Sequence, residues 1–217
     1  MSPKPVRGRQ RSVIVVAGED PNDCKVLQHL IPALYPGACP EVKFMRKPVI
    51  RLARAQARLS PRLQEIKRFA QGHADTARLA GVVIHVDLDA VTDENYDSVR
   101  RRITEEMRAT FKECCPSALA LSAYEMEAWL MLFPEAFPKV KPGWQLKEAE
   151  RRRDLGQIMK AKEHLTKSLG KPPYSESHAP KIMEEAVKGG YVTARPAGNN
   201  RSFRDFAEEL ADWKKTA

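Results

Sequence analysis

Acids follow three apolar runs in this chain. Glu19 comes directly after a continuously aliphatic, β-branched stretch in SVIVVAGEDPND. Asp87 and Asp89 close the run GVVIHVDLD, and Glu125 and Glu127 follow the apolar segment 118–122. Alternate residues of extended chain point the same way, so Asp87 and Asp89 are expected to aim both carboxylates at one point. Clustered hard oxygen ligands suit Mg²⁺ (or Mn²⁺). Beside a phosphate ester, such an ion would neutralise charge and activate water. The candidate metal ligands are therefore Glu19, Asp87 and Asp89, with Glu127 as a supporting catalytic acid. Each feature has a plainer alternative when taken singly. D-x-D often follows strands without metal, Glu19 is equally a turn or cap acid, and Glu127 is equally a solvated helix residue. Only the combination in chain order carries weight.

The elements that must position these acids can be read from periodicity. Ser12–Val16 is continuously apolar, as a strand buried on both faces would be. Asp20 before Pro21 is an N-cap followed by proline at the first helical position. Val26, Leu27, Leu30, Ile31 and Leu34 then carry a helix towards Tyr35-Pro36-Gly37. Residues 41–44 are a second strand, and 81–87 the clearest strand in the chain. A basic helix is expected over 51–59, restarting at Ser60-Pro61. Tyr96, Val99, Ile103, Met107 and Phe111 recur at helical spacing, which predicts an amphipathic helix over 95–113. A strand at 118–122 and a helix over 125–133 complete the alternation. Strand–helix repetition of this kind implies an α/β fold with a mainly parallel sheet flanked by helices.

Beyond Pro134 the character changes to Lys, Arg and Glu. Helices are expected at about 155–169 and 179–188. A last helix is expected from Ser202, with Ser202 and Asp205 as a capping-box-like start. Its stripe Phe203, Phe206, Leu210 and Trp213 should dock on the core. The organisation expected is a basic arm over 1–11, an α/β core over 12–135, and a helical extension over 136–217 whose last helix packs on that core.

The chain of 217 residues carries 37 Lys and Arg against 28 acids, a formal charge of +9. A surplus of this size favours a polyanionic partner. Lys4, Arg7, Arg9 and Arg11 make a basic arm, and Arg100-Arg101-Arg102 a cluster. Arg51, Arg54, Arg58 and Arg62 recur at spacings of three and four, so they share a helix face that would either meet phosphates or be simply solvated. No apolar run reaches the roughly 18–20 residues of a membrane span, and the basic N-terminus turns acidic too soon for a secretory signal. Cys24, Cys39, Cys114 and Cys115 show no metal spacing and read as reduced thiols, so a cytoplasmic location is expected. No P-loop and no G-x-S-x-G is present. His73, His85, His164 and His178 lack ligand spacing; His85, mid-strand, reads as a hydrogen-bonded structural residue.

VVAGEDPND, IHVDLDA, YEMEAWLM and SFRDF together resemble the Toprim fold of topoisomerases, bacterial primases, small ribonucleases and OLD-family nucleases. The resemblance is closest to a group of small bacterial Toprim-like proteins known as a domain of unknown function. It spans about 12–135 and the terminal helix. It implies a Toprim-like Rossmannoid core and a Mg²⁺ site. Asp87 and Asp89 match the D-x-D, Glu127 the acid after the later strand, and Asp23 an acid a few residues into the first turn and helix. The family places glutamate immediately before the glycine, where this chain has Ala17; Glu19 would have to substitute from two positions on. The function expected is a Mg²⁺-dependent nuclease of Toprim/OLD type acting on DNA or RNA, with a role in phage defence implied by relatives alone. The alternatives are a catalytically impaired module that binds nucleic acid or a partner protein, such as an ATPase, and a phosphate-handling enzyme for small nucleotides.

Overall fold

The computed structural model describes residues 11–46, 59–74, 77–151 and 153–215. Four strands form one all-parallel sheet: β1 (Ser12–Ala17), β2 (Glu41–Phe44), β3 (Arg78–Asp87) and β4 (Ser117–Ser122). The strand order is β2-β1-β3-β4. The chain steps from β1 to β2 in one direction, and β3 and β4 lie on the other side of β1. The progression therefore reverses between β1 and β3, and a crevice opens at their carboxyl ends.

Both sheet faces are covered, which is why the strands read as unbroken apolar runs. Val15, Ala17, Val82, Ile84, Leu119 and Leu121 pack with α2 (Ser60–Ala74) and α3 (Glu94–Phe111). Ile14, Val16, Val83, Ala118 and Ala120 face α1 (Pro21–Leu34) and the helical part that begins at Glu127. That part comprises α4 (Glu127–Leu130), α5 (Phe137–Val140), α6 (Glu148–Arg151), α7 (Ala161–Ser168), α8 (Ala179–Lys188) and α9 (Arg201–Ala211). Phe137, Trp144, Leu165, Ile182 and Phe206 lie in the same core as α1. The α/β architecture with helices following the sheet agrees with the sequence reading.

α9 solves a problem created by β4. An edge strand leaves backbone groups unpaired, and α9 covers them with side chains. Ser202 Oγ accepts from Ala123 N at 3.2 Å and from Trp129 Nε1 at 2.8 Å. Glu209 takes the backbone N–H of Leu119, while Arg100 Nη1 donates to Leu119 O at 3.2 Å. Arg100 also pairs with Glu209 and donates to Asp205 O. Trp129 stacks on Phe206 and meets Phe203 edge-on, both at 5.5 Å between centroids.

Several expectations change. Arg100 belongs to this internal network and not to a basic surface. The last helix is capped by Asn200, whose side chain accepts from Phe203 N; Ser202 lies inside and Asp205 accepts from the Tyr96 hydroxyl. The helix expected over 125–133 is regular only over Glu127–Leu130, because its flanks use tight i→i+3 bonds such as Trp129 N to Met126 O. The helix expected from 155 starts at Ala161, after left-handed Lys160 (φ 53°). Arg51, Arg54 and Arg58 lie outside the described residues; Arg62 is exposed on α2 and 3.4 Å from Glu65.

Ser202→Ala removes the acceptor of two buried donors, and each orphaned group costs about 1–3 kcal/mol. A loss of about 2–4 kcal/mol is expected in urea denaturation; an unchanged midpoint would show that α9 does not hold the β4 edge.

Candidate metal centre

The first residue of consequence is Gly18, directly after β1. A Cβ there would stand 3.0 Å from both Cys24 Sγ and His85 Cβ. A glycine permits this close approach without displacing either neighbour. It lets α1 and β3 converge on the end of β1. Asp20 caps α1, its Oδ1 accepting from Asn22 N at 2.6 Å, and Pro21 opens the helix, as the sequence predicts. The first turn then places Asp23 over the strand ends.

On β3 the period of two puts Val83, His85 and Asp87 on one face. Ser122 is the register partner of Asp87. Ser122 Oγ donates to Asp87 Oδ1, and His85 Nε2 lies 3.3 Å from the same oxygen and 3.2 Å from Ser122 Oγ. His85 Nδ1 is 3.7 Å from Asp23 Oδ2. Asp23, His85 and Asp87 each offer a donor atom, all within 4.8 Å of one another.

Charge in this cluster is set by burial and by the ring. Burial pushes Asp23 up to about 8, opposed by His85 and reinforced by Asp87, Glu127 and Asp20. Burial acts against a charged His85 as well, but Asp87, Asp23 and Glu19 outweigh it and raise the imidazole to about 9. Asp87 is also buried, yet His85 and the Ser122 hydroxyl hold it below the ordinary carboxylate range.

A cavity of about 210 Å³ opens over the cluster. Asp20, Asp23, Asp87, Asp89, Glu125 and Glu127 line it, with Lys162 and Glu176 from the C-terminal part. Asp89 reaches this wall by a different route from strand alternation. β3 ends at Asp87, Leu88 N bonds to Ser122 O, and Asp89 is left-handed (φ 57°), a conformation aspartate tolerates. Glu125 accepts from Lys162 N at 2.8 Å, and Lys162 pairs with Glu176. Glu127 is buried and accepts from the Tyr174 hydroxyl at 2.9 Å.

The structure thus brings together Asp87, Asp89 and Glu127 of the sequence candidates. Glu19 is half-buried and is not among the residues lining the cavity; its charge acts on His85. Ala17, where the resembling family has glutamate, points to the opposite face among Val15 and Ile84. Asp23, which the sequence reading matched to a family acid as a helper of Glu19, and His85, read as a structural residue, stand at the centre. The available signal was the shared strand face of His85 and Asp87. Nothing comparable marked Ser122, Lys162 or Tyr174. The donor set fits a divalent cation: two carboxylates and an imidazole face one another, with further acids in reach.

Comparison of the chain with protein-family models, curated proteins and solved structures gives no match.

Burial raises Glu127 to about 7, partly offset by the Tyr174 hydroxyl and helped by Glu125. The folded protein therefore holds a proton that the unfolded chain releases from about 4.5 upward. Stability from this group is full below about 4.5 and falls until about pH 7. Glu127→Gln keeps an acceptor for Tyr174 and removes the titration. It is expected to flatten this part of the pH–stability curve and to gain on the order of 1–3 kcal/mol over wild type at pH 8, measured by denaturant unfolding across pH. An unaltered curve would show that Glu127 is ionised in the fold at little cost.

Proposed function

We propose that the protein is a metal-dependent phosphodiesterase, a nuclease of Toprim/OLD type acting on DNA or RNA. The observation that carries this reading is the convergence of Asp23, Asp87, Asp89 and Glu127 on one cavity at the β1/β3 switch point, where open α/β sheets bind ligands. Asp87 and Asp23 would hold the ion with Asp89 in support, and a bound ion would supply charge neutralisation and a more acidic water. Glu127, buried and close to neutral titration, is suited to hold or pass a proton. The charge of Glu19 adds to those that favour a proton on His85. The formal charge of +9 favours a polyanionic substrate outside this acidic cavity. No helix among the described residues is long and apolar enough to cross a membrane.

One observation favours the second reading, a non-catalytic module that binds nucleic acid or a partner such as an ATPase. Ala17 leaves the position of the family's first glutamate without a carboxylate, and Glu19 does not line the cavity.

Purified protein is expected to cleave single- or double-stranded DNA or RNA with Mg²⁺ or Mn²⁺, and Asp87→Asn to reduce that rate at least about 100-fold. Ion binding without cleavage of any polymer would select the module instead. Equal cleavage by Asp87→Asn would place the chemistry elsewhere.

A further inference from the structure

His85 is the odd member of an otherwise carboxylate-lined site. It is fully buried, at 0% exposure. Its Nε2 lies 3.3 Å from Asp87 Oδ1 and 3.2 Å from the Ser122 hydroxyl, which orients the ring. Its Nδ1 makes no hydrogen bond and faces Asp23 Oδ2 at 3.7 Å. A buried ring nitrogen left without a hydrogen bond is costly, and this one faces Asp23, one of the acids that line the cavity.

The spacing suits one ion. Donor atoms bound at about 2.1 Å to a single centre stand at most about 4.2 Å apart. One donor atom from each of the three residues lies within 4.8 Å of the others, and Asp23 Oδ2 is 3.7 Å from Nδ1, so the three side chains need only small movements to close on one ion. The donor chemistry then selects the ion. Mg²⁺ favours an all-oxygen octahedron and keeps its waters. Imidazole nitrogen moves the preference towards first-row transition cations, which accept mixed nitrogen and oxygen ligands.

We propose that Asp23, His85 and Asp87 form a mixed nitrogen–oxygen centre, with His85 Nδ1 as a ligand, that takes a first-row transition cation such as Mn²⁺ in preference to Mg²⁺. This rests on the reading of the cluster as a metal centre, but not on what reaction the centre performs. Asp89 and Glu127 stay free of the first coordination sphere in this arrangement and face the cavity.

The test is binding, measured apart from cleavage. Calorimetric titration of the full chain is expected to show Mn²⁺ binding at least about tenfold tighter than Mg²⁺. Pulsed electron paramagnetic resonance of the Mn²⁺ form should show a nitrogen coupling that changes on ¹⁵N labelling of histidine and disappears in Asp87→Asn. His85→Gln, if it folds, should lower Mn²⁺ affinity at least about tenfold while changing Mg²⁺ affinity less; the spectroscopy on the unaltered protein does not depend on that variant. Equal affinity for the two ions, bound Mn²⁺ without a histidine coupling, or a coupling that survives in Asp87→Asn would each overturn the proposal. Mg²⁺-supported cleavage with no histidine coupling would overturn it and leave the nuclease reading standing.

Discussion

His85 enters the sheet among valines and alanines, at a position where an unpartnered imidazole would cost several kcal/mol. Asp87 and Ser122 meet one ring nitrogen, while the other makes no hydrogen bond and faces Asp23 Oδ2 at 3.7 Å. Much of this end of the molecule is arranged around that ring. Gly18 leaves room here, because a Cβ would crowd His85 and Cys24 at 3.0 Å. α1 starts at Pro21, soon after the glycine, and its first turn brings Asp23 beside the ring. The Asp20–Pro21 start does this. The site is therefore assembled by backbone geometry at the switch point, before any loop contributes.

The C-terminal helices finish what the sheet begins. Tyr174 satisfies the buried Glu127, Lys162 and Glu176 complete the cavity wall, and the start of α7 gives a backbone N–H to Glu125. α9 meanwhile closes the β4 edge through Ser202 and Glu209, with Arg100 reaching across from α3. The part of the chain that looks like an appendage by composition thus supplies both the cover of the β4 edge and part of the cavity wall. The cavity has a mixture of rigid acids from strand ends and one cation held by a neighbouring glutamate. Such an arrangement favours a ligand that brings positive charge, which is what a divalent ion does.

The sheet was legible because its strands are buried on both faces, so Ser12–Val16 and 81–87 carry continuous apolar runs. The start of α1 was legible because Asp20–Pro21 is local chemistry. The acids of the site were found through strand ends, and Asp87, Asp89 and Glu127 do share a cavity. What local patterns do not encode are partnerships across the fold. Asp23 and His85 become central only when α1 folds over β3. Arg100 resembles a surface charge until α9 brings Glu209 to it. The Asn200 cap was obscured by Ser202, a residue with cap chemistry whose hydroxyl is used by Ala123 and Trp129 instead. Asp89 converges on the cavity through a left-handed turn, which alternation along a strand does not anticipate.

The most direct measurement of the central claim is anomalous diffraction from crystals soaked in Mn²⁺. The account predicts an anomalous peak between Asp23, His85 and Asp87, within bonding distance of the two carboxylates and of His85 Nδ1. An ion bridging Glu19 and Asp89 away from the imidazole would contradict it, as would an ordered Asp23–His85–Asp87 cluster that holds no ion at saturating Mn²⁺.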